Sequence, residues 1–132
     1  MLLLERYLLG GIMVKTYYRF KFYLNALHSV KFAGKVSAIH PHTWEISILF
    51  RSRQEETVNF SSFETELESY FLKFEGKFLN ELVVFKGIIP TMENIGKILF
   101  EDVKKLINDR DLDFKTFEIS ENPARTYIIE DD

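Results

Sequence analysis

Three histidines and a complete absence of cysteine limit the chemistry open to this chain of 132 residues. Without thiols there is no disulfide, no thiolate-held zinc, no iron–sulfur cluster and no cysteine nucleophile. Any transition-metal site must then be built from imidazoles and carboxylates. His28, His40 and His42 fall within one short window. The His-x-His spacing of the latter two puts both rings on one face of an extended strand, near enough to chelate one ion. If the segment ending at His28 pairs with the one beginning at His40 as an antiparallel hairpin, all three imidazoles meet at one end of it. Three imidazoles leave a tetrahedral zinc one open position, the pattern of catalytic rather than closed structural sites. The alternative is three histidines at strand ends, each hydrogen-bonded to backbone.

The elements that would position these rings can be read from periodicity. Tyr18, Phe20, Phe22, Leu24, Ala26 and His28 alternate with Arg19, Lys21, Tyr23 and Asn25, which predicts a long strand with one polar face. Residues 30–39 carry Gly34 and no clear period, and read as a loop. His40, His42, Trp44, Ile46, Ile48 and Phe50 form the inner face of a second strand, and the charged run 51–56 reads as a turn. Two helices follow. Ser61 and Glu64 have capping-box spacing, Phe63, Leu67, Tyr70, Phe71 and Phe74 recur on one helical face, and Gly76 supplies a stop. Pro90-Thr91 opens the second helix with Thr91 as N-cap and Glu93 in its first turn; Ile95, Leu99, Val103 and Leu106 form its buried stripe. The apolar run 82–85 between the helices reads as a short strand or buried loop. Alternation returns through Phe117, Ile119 and Glu121, Asn122-Pro123 makes a turn, and 126–130 form a last strand. The order ββααββ predicts an α+β fold, a four-stranded antiparallel sheet with both helices on one face.

Composition narrows the function classes. Lys+Arg 17 against Asp+Glu 20 gives a net charge of −3, which argues against a protein that binds nucleic acid through its phosphates. Hydrophobic residues at 46% and charged residues at 28% fit one globular domain. The 13 Phe, 6 Tyr and 1 Trp suit a strand-rich core. Residues 1–13 read as an N-terminal extension ahead of a single domain at 14–132. Their apolar stretches are broken by Glu5 and Arg6, too short for a membrane span and without the pattern of a signal peptide. A cytoplasmic protein with no membrane partner is expected.

Several short motifs, in order, resemble the 6-pyruvoyl-tetrahydropterin synthase and 6-carboxy-tetrahydropterin synthase family, which has the tunnelling fold, or T-fold. They are Phe22 to His28 (FYLNALH), His40-Pro41-His42 at the family's His-Gly-His, and Val58-Asn59-Phe60 before the first helix. Leu79-Asn80, Pro90-Thr91-Met92-Glu93-Asn94-Ile95 and Ser120-Glu121 complete the series. The resemblance implies zinc on His28, His40 and His42, and Glu121 accepting hydrogen bonds from the 2-amino and ring N–H groups of a pterin. A carboxylate suits that edge because its two oxygens can accept from two parallel donors. Thr91 and Glu93 would help bind the ring, although simple helix capping explains them equally well. The resemblance also implies a ring-shaped homo-oligomer, a hexamer built from two trimers, with Glu121 and the histidines of one site drawn from different chains.

The departures from the family pattern fall on its proton-transfer groups. Val36 stands where close relatives have the catalytic cysteine, and Glu75-Gly76 stand at the catalytic Asp-His pair. Valine and glycine have no side chain that can move a proton. Glu75, Glu93 and Ser37 are the substitute acid–base candidates, and Pro41 in place of glycine restricts the backbone between two ligands. Two functions are therefore expected. One is a zinc-dependent synthase acting on dihydroneopterin triphosphate or a related pterin with replaced catalytic groups. The other is a non-catalytic zinc- and pterin-binding sensor or assembly protein.

Overall fold

The computed structural model describes residues 6–52, 60–108 and 110–132. In chain order its strands and helices are β1 (Arg6–Leu9), β2 (Ile12–Lys15), β3 (Tyr18–His28), β4 (Lys31–Phe32), β5 (Lys35–Val36), β6 (His40–Ser52), α1 (Phe60–Leu72), α2 (Met92–Asn108), β7 (Leu112–Asn122) and β8 (Arg125–Glu130). The main sheet has the order β3-β6-β7-β8, with every neighbouring pair antiparallel. This is the expected α+β architecture of four strands and two helices. Two small hairpins, β1-β2 and β4-β5, stand beside it.

The alternation along β3 and β6 decides which face is covered. Phe22, Leu24 and Ala26 from β3 and Trp44, Ile46, Ile48 and Phe50 from β6 are buried, and they meet Phe117 and Ile119 from β7. From the helices come Phe63, Leu67, Tyr70 and Phe71 of α1, and Ile95, Leu99, Val103 and Ile107 of α2. The core is largely aromatic where α1 crosses the sheet: Phe20 lies edge-on to Phe50 and Phe60, and Phe50 edge-on to Phe63. Tyr70 donates to Asp102 at 2.6 Å, joining the two helices; burial, and then that carboxylate, push its phenol well above the ordinary tyrosine range. Gly96 sets how closely α2 approaches the sheet, because a Cβ there would lie 3.0 Å from Ile119 Cγ2 and 3.2 Å from the Tyr127 ring.

Five local readings change. The segment 30–39 is not a plain loop but contains the β4-β5 hairpin, turned at Ala33 and Gly34 with φ of 51° and 80°. A two-residue turn that matches strand twist needs the left-handed region at both positions, which glycine adopts freely and alanine only under constraint. The run 82–85 is neither strand nor buried loop: Leu79–Glu81 and Val83–Phe85 form two short 3-10 turns. Those turns bury Leu79 and Phe85 and leave Val83 exposed. Ser61 lies inside α1, which already runs from Phe60, so no reciprocal cap starts the helix at Ser61. In α2 the buried stripe continues to Ile107, which is fully buried, with Leu106 only half-buried. Of the charged run at 51–56, Arg51 and Ser52 continue β6; the rest, with Val58 and Asn59, lies outside the described residues.

The region expected as an extension also contains order. Arg6–Leu9 pairs with Ile12–Lys15 around Gly10 and Gly11, both at positive φ.

Candidate metal centre

The hairpin β3-β6 does what the spacing of the histidines requires. His28 is directly opposite His40 in the register, and Ala26 opposite His42. The three rings come from the core-facing side at one end of the sheet, with centroids 4.4 Å (His28–His40), 5.0 Å (His28–His42) and 4.8 Å (His40–His42) apart. One ligand atom from each lies within 4.8 Å of the others, so the triad could hold a metal ion. Trp44, fully buried, forms the floor, with its ring 5.1 Å from His28 and 5.2 Å from His42.

The hydrogen bonds on the far side of the imidazoles fix which nitrogen is available. His28 Nδ1 lies 2.7 Å from the Pro90 carbonyl and His40 Nδ1 2.8 Å from the Ala38 carbonyl. A carbonyl can only accept, so each Nδ1 carries a proton, and in the neutral ring Nε2 is then the nitrogen with the lone pair. This is how metal-bound histidines are usually oriented by the protein around them. His28 Nε2 is buried with no hydrogen-bond partner. Burial, more than any neighbouring charge, holds the pKa of His28 below the ordinary histidine value and favours the neutral ring. An unpartnered buried nitrogen is costly unless something else accepts its lone pair, and a divalent metal is the ligand this donor set fits.

Two devices hold His28 in place, and both come from segments the family motifs single out. Thr91 Oγ1 accepts from the Asn94 amide at 3.1 Å, capping α2 as the sequence predicts. The Asn94 side chain donates to the Ile89 carbonyl at 2.9 Å. Between these anchors the Pro90 carbonyl is turned toward His28. On the other side, Asn80 grips the next residue at both backbone groups, accepting from Ser29 N at 2.9 Å and donating to Ser29 O at 2.8 Å. Sequence reading took Asn80 only as part of a motif and had no access to Pro90 or Ala38, because a backbone carbonyl carries no residue signature.

Pro41 is accommodated by the ladder. The Leu27 amide opposite it points away, to the Lys77 carbonyl at 2.8 Å, and pairing of β6 with β7 begins only at Glu45. The missing proline N–H is therefore needed by neither neighbour.

Glu121 completes the cluster from β7. Its Oε1 is 3.5 Å from Nε2 of both His28 and His42. The register shift between Ile119 and Asn122 falls at this residue, and a bulge is a common way to re-aim a side chain. The buried Ser120 hydroxyl ties the following turn through Asn122, Arg125 and Thr126. The expectation that Glu121 and the histidines of one site come from different chains is corrected here: a single chain already brings them together.

A cleft of about 260 Å³ opens over this cluster, lined by His28, Val30, His40, Thr91, Met92, Glu93, Glu121 and Arg125. Thr91 and Glu93 thus stand at the cleft, where the resemblance puts ligand contacts. Ser37 and Glu75 are engaged elsewhere. Ser37 Oγ accepts from Val30 N at 3.0 Å and donates to the Ala38 carbonyl at 3.1 Å, closing the base of the β4-β5 hairpin. Glu75 accepts from Asn25 N at 3.0 Å and Asn25 Nδ2 at 2.9 Å, binding the end of the α1 segment to the edge of β3. Val36 is 70% exposed on the hairpin, and Gly76 makes a turn at φ 71°.

Residues 17–132 match the family described as 6-pyruvoyl tetrahydropterin synthase. Among solved structures, 6-pyruvoyl tetrahydropterin synthase of Caenorhabditis elegans is similar at a TM-score of 0.74 and 14% identity, over 89% of this chain and 96% of that one. The Plasmodium falciparum enzyme of the same name gives 0.60 and 14% identity, over 89% and 99% of the two chains. An uncharacterized protein from Wolinella succinogenes gives 0.64 and 10% identity, over 89% and 100%. No curated protein matches the sequence. At such identities the structural likeness speaks for the fold.

Proposed function

The chain belongs to the 6-pyruvoyl tetrahydropterin synthase family, and from that premise we propose that it holds zinc on His28, His40 and His42 and acts on dihydroneopterin triphosphate or a related pterin with replaced acid–base groups. The observation that carries this reading is the buried, unpartnered His28 Nε2 facing two further imidazoles, with two of the three rings oriented through Nδ1 by backbone carbonyls. Bound zinc would supply a Lewis acid able to polarise an oxygen of the substrate side chain. The protein groups do the rest. Glu121 offers carboxylate oxygens to the paired N–H donors of the pterin edge, and Thr91 and Glu93 line the same cleft.

Proton transfer is where the reading divides. The hydrogen bonds of Ser37 and Glu75 run to the frame and not to the imidazoles, which leaves Glu93 as the titratable candidate at the cleft. That commitment favours the second reading, a zinc- and pterin-binding protein without turnover. Incubating zinc-loaded protein with dihydroneopterin triphosphate separates the two. Conversion well above a His28→Ala control, with loss or rearrangement of the pterin side chain, establishes a lyase-type enzyme. Pterin binding without conversion establishes the sensor or assembly role.

A homohexamer of two trimers is part of the same proposal. It is supported by β3 and β8, the two edges of the main sheet; residues 76–78 bond to β3 at Asn25 and Leu27, and among the described residues no strand lies beside the stretch before Asn25 or beside β8. Such edges invite pairing with another copy. A monomer by light scattering would remove it. A cytoplasmic location is part of the same proposal; among the described residues no helix is long and apolar enough to cross a membrane.

A further inference from the structure

We propose that Glu121 is the fourth protein donor to the metal when no ligand is bound, so that the site rests closed and an incoming molecule must draw the carboxylate away to enter. This deepens the zinc reading above and rests on it. The first support is distance. Glu121 Oε1 is 3.5 Å from His28 Nε2 and 3.5 Å from His42 Nε2. Two donors each about 2.0–2.2 Å from a tetrahedral zinc lie roughly 3.4 Å apart. The carboxylate oxygen therefore already stands at a ligand-to-ligand separation from two of the three imidazoles.

The second support is polarity. His28 gives its Nδ1 proton to Pro90 O, so the nitrogen facing Glu121 carries a lone pair. Two acceptors then face each other, with the His28 side chain 2% and the Glu121 side chain 23% exposed. A charge-assisted hydrogen bond would be closer, about 2.7–2.9 Å. Two lone pairs held apart at this distance repel, and a cation between them turns that repulsion into attraction.

The third support is where the backbone carries the side chain. Glu121 is carried at the register shift of β7 and followed by a turn pinned through Ser120, so the carboxylate is built into the sheet beside the histidines. One oxygen, Oε1, faces both rings. A ligand bearing paired N–H donors could compete for this carboxylate and open the coordination position as it binds. A small anion without N–H donors could not.

Cobalt(II) in place of zinc makes the test visible, since its visible absorption reports coordination. In wild-type protein loaded with cobalt, azide should leave the spectrum unchanged. In Glu121→Gln, loaded to the same metal content, azide at the same concentration should shift it. Glu93→Gln removes an equal charge from the same cleft and, whatever it does to pterin binding or turnover, should leave the cobalt spectrum as unresponsive to azide as in wild type, which separates ligation from simple electrostatic exclusion of the anion. A wild-type spectrum that responds to azide as readily as Glu121→Gln overturns the proposal, and that arm needs no variant to fold. Two unresponsive spectra overturn it as well, because the closed position would not belong to Glu121. Failure of wild-type protein to take up cobalt or zinc sinks the underlying metal reading instead.

Discussion

Two neighbouring regions near the His28 end of β3 use polar side chains in opposite ways. Around the histidines, hydrogen bonds to the Pro90 and Ala38 carbonyls and through Asn80 are spent on orientation, and they leave two buried nitrogens, His28 Nε2 and Trp44 Nε1, without a partner. Around Ser37 and Glu75, where the family resemblance leads one to look for acid–base groups, the hydrogen bonds are spent on closure. Ser37 seals a hairpin, and Glu75 fastens the end of the α1 segment to Asn25. A site advertises itself by an unmet valence, and a frame by its absence. By that criterion the first region is prepared for a ligand and the second is already complete.

The largest effect that can break this contrast is at His28. His28→Ala removes the buried ligand, and zinc content after purification without chelator should fall to less than about 0.1 per chain. Zinc should also stabilise wild-type protein on heating, by about 2.7 kcal/mol at a hundredfold excess over its dissociation constant. The variant should show no such gain. An undiminished zinc content in His28→Ala would mean that the imidazoles at this end are frame as well.

Asn80 tests the orientation side of the contrast. Asn80→Ala leaves the buried Ser29 backbone without its partner on both groups, which costs about 1–3 kcal/mol by denaturant unfolding. Zinc affinity should fall about 10–100-fold, the usual loss when a group that positions a ligand is removed. A drop in stability with unchanged affinity would show that Asn80 holds the loop without holding the site.

The triad was legible because two strands and a turn obey period-2 alternation, and parity along each strand fixes which face every histidine joins. Glu121 was legible as a carboxylate on a buried face, but its place beside the histidines of its own chain was not. That depends on the order in which strands pair across the sheet, and no local pattern states it. The β4-β5 hairpin escaped because its two-residue strands are too short to show a period. The run at 82–85 misled because four apolar residues look the same in a strand or in successive 3-10 turns. The motif Pro90-Thr91-Met92-Glu93-Asn94 was recognised, while its physical purpose, presenting a carbonyl to His28, needed coordinates.

Thr91 sits on the boundary between the two uses, since it caps α2 and lines the cleft. Thr91→Ala should cost about 1 kcal/mol, the ordinary loss of an N-cap, and Thr91→Ser should restore it. If pterin affinity falls in Thr91→Ala and returns with serine, the hydroxyl serves both helix and ligand. If stability returns with serine but affinity never moved, Thr91 belongs to the frame alone.

The smallest expected effect is at Glu75, and it sharpens the contrast most because the prediction is nearly null. Its two bonds to Asn25 are exposed, so water replaces them when the carboxylate is lost. The net worth of such a bond is about 0.5–1.5 kcal/mol, and exposure puts Glu75→Ala toward the lower end. Zinc content should not change, since the carboxylate's partners lie on the outer edge of β3, on Asn25 rather than on the histidine-bearing face. Glu75→Gln retains one acceptor and should fall between wild type and alanine in stability. Zinc loss in both variants, with the fold intact by circular dichroism, would place Glu75 within the site and erase the division between the two regions.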